Sequence, residues 1–142
     1  MQSRKIMETT KTININELTT TYLYETFQGL NLKGRTFNKL HLSGCKISES
    51  TFAQCTFKDC VLQASSFENV KFFGCSFINC IVKYSTVEGA SFQNCTFENN
   101  AWSQTQTYEL EANFCELDEQ TTQIICLHDD TNISPIKLNS VA

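Results

Sequence analysis

The chain has 142 residues, with 15 acidic against 11 basic side chains and a net charge of −4. That length suits one domain with a real core, and the acidic balance argues against a phosphate-binding surface, so direct nucleic-acid binding is not expected. No apolar run approaches the ~18 residues of a membrane-spanning helix, and MQSRKIMETTKTININ lacks the apolar stretch of a secretory signal, so a cytoplasmic location is expected.

Residues 1–24 carry Arg4, Lys5 and Lys11 against Glu8 and Glu17. ININELTTTYLYETF alternates weakly and reads as a strand or a cap over whatever follows. We take 1–24 as an N-terminal cap or extension.

From residue 25 a five-residue period takes over. The chain divides as LNLKG RTFNK LHLSG CKISE STFAQ CTFKD CVLQA SSFEN VKFFG CSFIN CIVKY STVEG ASFQN CTFEN NAWSQ. The third residue of each block is apolar, from Leu32 to Trp102; Tyr22 and Phe27 extend the phase upstream, and nine of the eleven phenylalanines fall on it. The first residue is mostly small, usually Cys, Ser or Ala. All five glycines take the fifth place, joined by Asn69, Asn79, Asn94 and Asn99. Gly and Asn accept positive φ at least cost, so this place is expected to turn a corner.

A period of five fits neither a helix nor a continuous strand. It fits a short extended edge followed by a turn, with two residues of five pointing inward. Four edges close a coil of twenty residues, and coils stack at the inter-strand spacing of about 4.8 Å. Side chains twenty apart then lie above one another. The expected core ladder has Phe37, Phe57, Phe77 and Phe97 in one column and Phe52, Phe72 and Phe92 above Leu32 in a second. The remaining columns are Leu42, Leu62, Val82, Trp102 and Ile47, Phe67, Val87, Thr107.

Seven of the eight cysteines (45, 55, 60, 75, 80, 95 and 115) share the first place of the block; Cys126 does not. A thiol cluster for metal or oxidants is one reading. A small hydrophobe filling a narrow corner is the reading we favour, because zinc sites use tight Cys-x2-Cys spacings and no histidine joins the stack. Adjacent coils bring thiols within bridging range, but parallel Cβ vectors disfavour disulfides.

The pattern is regular to about residue 104 and weakens to 117. Thr107 and Ala112 hold the central phase poorly, and Ala112-Asn113-Phe114 reads as a repeat shifted by two. Residues 118–142 form a C-terminal cap or tail with a net charge of −3. Asp118 is placed to N-cap a short helix, DEQTTQIICL, whose Ile124, Ile125 and Leu127 would close the far end or make a dimer contact. Pro135 breaks the remaining segment.

A search for chemistry finds none of the usual constellations. His41 and His128 lie far apart, and no phosphate loop, H-E-x-x-H or G-x-S-x-G is present. Asp59, Glu68, Glu88 and Glu98 are spread around the coil without forming an acid/base pair. No catalytic residue, metal or cofactor is expected, and the chain is read as not an enzyme. The informative exceptions are apolar residues at outward places: Val61, Ala64, Ile81, Tyr84 and Ala101 on one face, with Phe73 and Ile78 on adjacent faces. They are either a partner surface or the seat of a terminal segment. We take Val61, Phe73, Ile78, Ile81 and Tyr84 as the candidate protein-binding surface.

Over residues 25–104 these blocks resemble the pentapeptide repeat family, whose pattern is a small residue, a polar residue, Leu or Phe, and two further polar places. The resemblance implies an all-β, right-handed quadrilateral parallel β-helix, here of about four coils with capping termini and a short C-terminal helix. It also implies a homodimer through the C-terminal segment. Family members that mimic a DNA duplex protect gyrase from quinolones or toxins, which implies DNA gyrase or topoisomerase IV as an alternative partner. Against this, residues 25–117 hold nine acids and seven bases, close to neutral, and four coils would give a rod only about 20 Å long. The first function expected is a rigid solenoid that presents a protein-binding surface; an exported bacterial effector or assembly component is a further alternative.

Overall fold

The computed structural model describes residues 21–126, together with the strand placements of Ile6–Met7 and Asn132–Leu138. Three-residue strands recur every five residues from Thr21–Leu23 to Gln106–Tyr108, followed by the longer strand Glu111–Leu117 and one helix, α1, Glu119–Cys126. Each strand pairs in parallel with those twenty residues before and after it: Val61 lies opposite His41 and Ile81, and Phe72 opposite Phe52 and Phe92. The result is a four-sided parallel β-solenoid of about five turns.

The corner conformation explains the period. Every fifth residue from Tyr24 to Phe114 has φ between 50 and 73°, whether or not it is glycine. A left-handed residue costs about 1–2 kcal/mol with a side chain present, so Gly and Asn are enriched there. Ala64, Tyr84 and Phe114 are nevertheless held in place by the surrounding ladder. The turn amides join that ladder: the Tyr24 N–H donates to the Ser43 carbonyl and the Gly89 N–H to the Tyr108 carbonyl, both at 2.9 Å.

We label the faces in chain order. Face I holds Thr21–Leu23, His41–Ser43, Val61–Gln63, Ile81–Lys83 and Ala101–Ser103. Face II begins with Thr26–Gln28, face III with Asn31–Lys33 and face IV with Thr36–Asn38. The aromatic ladder forms as the register requires. Phe37, Phe57, Phe77 and Phe97 stack with centroids 4.7–4.9 Å apart, and Phe52, Phe72 and Phe92 at 5.0–5.3 Å. Neighbouring columns meet edge to face, as between Phe52 and Phe57 at 5.5 Å and 74°. Each such pair contributes about 0.5–1.5 kcal/mol beyond the burial of its area.

Two expectations need correction. The solenoid has about five turns rather than four, because the ladder continues where the sequence pattern fades. Thr107 and Ala112 keep the central place and are buried, with Ala112 opposite Phe92. Ala112-Asn113-Phe114 is therefore in phase: Phe114 is a corner residue with φ 55° and is 63% exposed. A small or polar central side chain weakens the signal without removing the backbone bonds that define a turn.

The ends are covered by different means. Strand Ile6–Met7 pairs with Thr26–Phe27, and strand Asn132–Leu138 pairs along Glu111–Leu117. Asp118 N-caps α1 as expected: its Oδ1 accepts from the Thr121 amide at 2.8 Å. Its Oδ2 accepts from both the Asn100 amide and the Asn100 side chain, each at 2.9 Å. Gln120 Oε1 accepts from the Trp102 amide, so α1 closes the last edge of face I. Ile125 is fully buried in the core with Leu117, and Ile124 is half-buried. Leu127 lies outside the described residues.

Candidate interaction face

The inner corner column is built for packing. Ser50 Oγ accepts from the Leu30 amide and donates to the Ser48 carbonyl; Ser65 and Ser85 repeat the arrangement one turn at a time. The cysteines do the same with weaker donors. Cys75 Sγ donates to the Phe52 carbonyl at 3.3 Å, and Cys95 Sγ to the Phe72 carbonyl at 3.4 Å. All seven stacked cysteines are free thiols, and all but the half-buried Cys60 are buried. Burial pushes the Cys45 thiol up from its ordinary value. In the column Cys55, Cys75, Cys95 and Cys115, hydrogen bonding between successive thiols is the largest influence, pushing Cys55 and Cys95 up and Cys75 and Cys115 down, while burial pushes each of them up. Among the described residues no group of three or more His, Cys, Asp and Glu is arranged to hold a metal ion, and no helix is long and apolar enough to cross a membrane.

The outward apolar residues divide by face. Val61, Ile81 and Ala101 form one column of face I, in direct register. Tyr84 stands at the corner of the same face, 62% exposed, beside Ile81 at 42%. Phe73 and Ile78 are not brought to it: Phe73 lies on face III between Ala53 and Gln93, and Ile78 on face IV between Lys58 and Glu98. Two residues of face I were missed by the sequence reading, Leu23 and Tyr24, at 55% and 80% exposure. They occupy the same places of the block as Lys83 and Tyr84, three turns earlier, so extending the register upstream would have found them. The Tyr24 ring lies across the next corner, where a Cβ on Gly44 would meet it at 2.6 Å.

Face I is also nearly free of charge. Its outward places hold Thr21, Leu23, Tyr24, His41, Ser43, Gly44, Val61, Gln63, Ala64, Ile81, Tyr84, Ala101, Ser103 and Gln104, with Lys83 as the one formal charge. Charges return at its borders, with Lys39 and Asp59 along one corner and Glu25 at the other. Lys83 is half-buried and forms no ion pair with any described residue; the ion pair among them joins Lys46 and Glu68 on face II at 3.3 Å.

Behind face I the core is loosely filled. An apolar cavity of about 90 Å³ runs past Phe57, Leu62, Phe67, Phe77 and Val82, and a second of about 50 Å³ continues past Val82 and Val87 to Trp102. Val82 lines both cavities and Val87 the second, each a smaller side chain than the phenylalanines of the facing columns.

The fold is a four-sided parallel β-solenoid, and face I carries exposed apolar side chains with one formal charge. Residues 41–79 match the family model described as pentapeptide repeats, in eight copies. Over that stretch the chain carries pentapeptide repeats, and the same five-residue register runs on either side of it. No curated protein matches it. Among solved structures it is similar to a trypsin-treated form of QnrB1, a plasmid-mediated fluoroquinolone resistance protein, at 14% identity over 87% of this chain and 84% of that one, with a TM-score of 0.34. It is also similar to Rfr23, a pentapeptide repeat protein from the cyanobacterium Cyanothece 51142, at 11% identity over 82% and 93% of the two chains and a TM-score of 0.20.

Proposed function

We propose that this chain is a non-enzymatic protein-binding module and that face I is its binding surface. The observation that supports it is that exposed Leu23 and Tyr24, and three turns on Ile81 and Tyr84, look out from one face whose outward places hold a single formal charge. Exposed apolar groups of this extent mark partner sites, and aromatic side chains dominate the energetics of such sites. The test is capture of binding proteins from the source cell by the full chain and by an Ile81→Asp/Tyr84→Asp variant. A Phe114→Asp variant, altered at an exposed aromatic on another face, is the control. Selective loss with the double variant, at unchanged thermal melting, supports the reading. Equal capture by all three sinks it.

A second reading draws on face II. Glu68 and Glu88 are adjacent in register there, with Glu49 and Glu109 at its corners, against Lys46 alone. This acidic face supports a duplex mimic directed at gyrase or topoisomerase IV. A supercoiling assay decides it: no effect on gyrase at micromolar excess removes the idea.

A further inference from the structure

We propose that the partner of face I is a single amphipathic helix of about thirteen residues whose apolar stripe carries a carboxylate for Lys83. This rests on the reading of face I as the binding surface and goes on to specify what that surface accepts.

Dimensions limit the occupant first. Five strands at about 4.8 Å place the outer two roughly 19 Å apart, and each strand is three residues, about 10 Å, wide. The flat area is therefore about 200 Å². A stable globular interface needs about 800 Å² per partner, so a folded domain would leave most of its contact unmet. A helix is about 10–12 Å across and rises 1.5 Å per residue, so thirteen residues laid along the solenoid axis cover the face from Leu23 to Ala101.

Backbone chemistry disfavours an added strand. The amides and carbonyls of the interior strands of face I are spent on the ladder, as in Val61 N–H to Leu40 C=O and Ile81 N–H to Cys60 C=O at 2.9 Å each. At the last strand, Gln120 of α1 already accepts from the Trp102 amide. Strand addition needs a free edge, whereas the broad side of a sheet offers only side chains. A helix presenting residues at i, i+4 and i+7 meets such a surface with one apolar stripe.

Charge then selects the stripe. Lys83 is a half-buried residue between Gln63 and Ser103 in register, on the same edge as Ile81 and Tyr84, and no carboxylate of a described residue lies within ion-pair distance of it. Covering it with a purely apolar stripe would desolvate an unpaired charge. A second copy of this chain docked face to face would bring a second Lys83 and no carboxylate from its own face I, leaving both lysines covered and unpaired. A Glu or Asp within the stripe satisfies the lysine and fixes the direction in which the helix lies.

The experiment selects binders from a displayed library of fourteen-residue stapled helical peptides, using the full chain as bait. Selected peptides are measured against wild type, Lys83→Ala, Lys83→Glu and Ile81→Asp, each checked by circular dichroism melting. We expect apolar residues at i, i+4 and i+7 with an acidic residue beside them. Affinity should fall about tenfold or more with Lys83→Glu and recover when the peptide acid is exchanged for lysine. Binders that need Ile81 but ignore Lys83 overturn the acidic partner while leaving face I as the binding surface. Binders without helical periodicity overturn the helix. A selection that yields only binders indifferent to Ile81→Asp, or none, overturns both proposals.

Discussion

The space behind face I makes a packing prediction that can be tested with one added methyl group. Val82 lines both cavities, at the point where they meet beside Leu62, Phe67, Phe77 and Cys80. Val82→Ile keeps the branched Cβ that a strand favours and places one more carbon into that space. Burying a methylene stabilises by about 0.8 kcal/mol, and the reverse change in filled cores costs about 0.5–1.5 kcal/mol. The cavities total far more than one methylene, so no neighbour must move. We expect a gain of about 1 kcal/mol, or roughly 3 °C in the melting temperature for a chain of this size. Val70→Ile is the matched control. Val70 is fully buried at a corner that lines neither cavity, so the same added methyl overpacks and should cost about 1–3 kcal/mol. Thermal melts by circular dichroism read both. Equal signs for the two substitutions would refute the assignment of the free space to the side of the core behind face I.

Three further outcomes follow from particular contacts. Gly89 turns at φ +67°, and an added Cβ would meet Asn69 Oδ1 at 2.5 Å, so Gly89→Ala should lower stability by about 1–2 kcal/mol; Ala64→Gly, at a corner with φ 50°, should raise it by up to about 1 kcal/mol in the same melts. Asp118→Ala removes the N-cap of α1 and the acceptor of both Asn100 donors, and should cost about 2–3 kcal/mol with loss of helical signal at 222 nm, a wavelength chosen because it reports helix. Thr107 Oγ1 is buried with no hydrogen-bond partner among the described residues, so Thr107→Val should stabilise by about 1 kcal/mol in urea unfolding; a loss of that size would point to a partner for the hydroxyl.

Much of the architecture was legible because the period carries its own cause. A corner every fifth residue requires positive φ, and the placement of all five glycines reported it. Stacking at one inter-strand spacing requires like side chains twenty residues apart, and the phenylalanine columns reported that. The cysteines were legible for the same reason, as small side chains in a narrow corner. Legibility failed where side chains cease to advertise the geometry. Thr107 and Ala112 are weak as sequence signals, yet they are buried in a turn that backbone bonds define. Leu23 and Tyr24 were passed over because their own turn shows little of the pattern.

The sequence by itself determined the five-residue edge, the twenty-residue coil and the identity of the core columns, since each follows from local φ preference and periodic burial. Tertiary structure alone decided how many turns form, which exposed apolar residues share a face, and where the core is underfilled. Those outcomes depend on registry between strands twenty or more residues apart and on the summed volume of four facing columns. That is why Val61, Ile81 and Tyr84 share one face with Leu23 and Tyr24, two to three turns away, whereas Phe73 and Ile78, as apolar and nearer than those two in sequence to Ile81, look out from other faces.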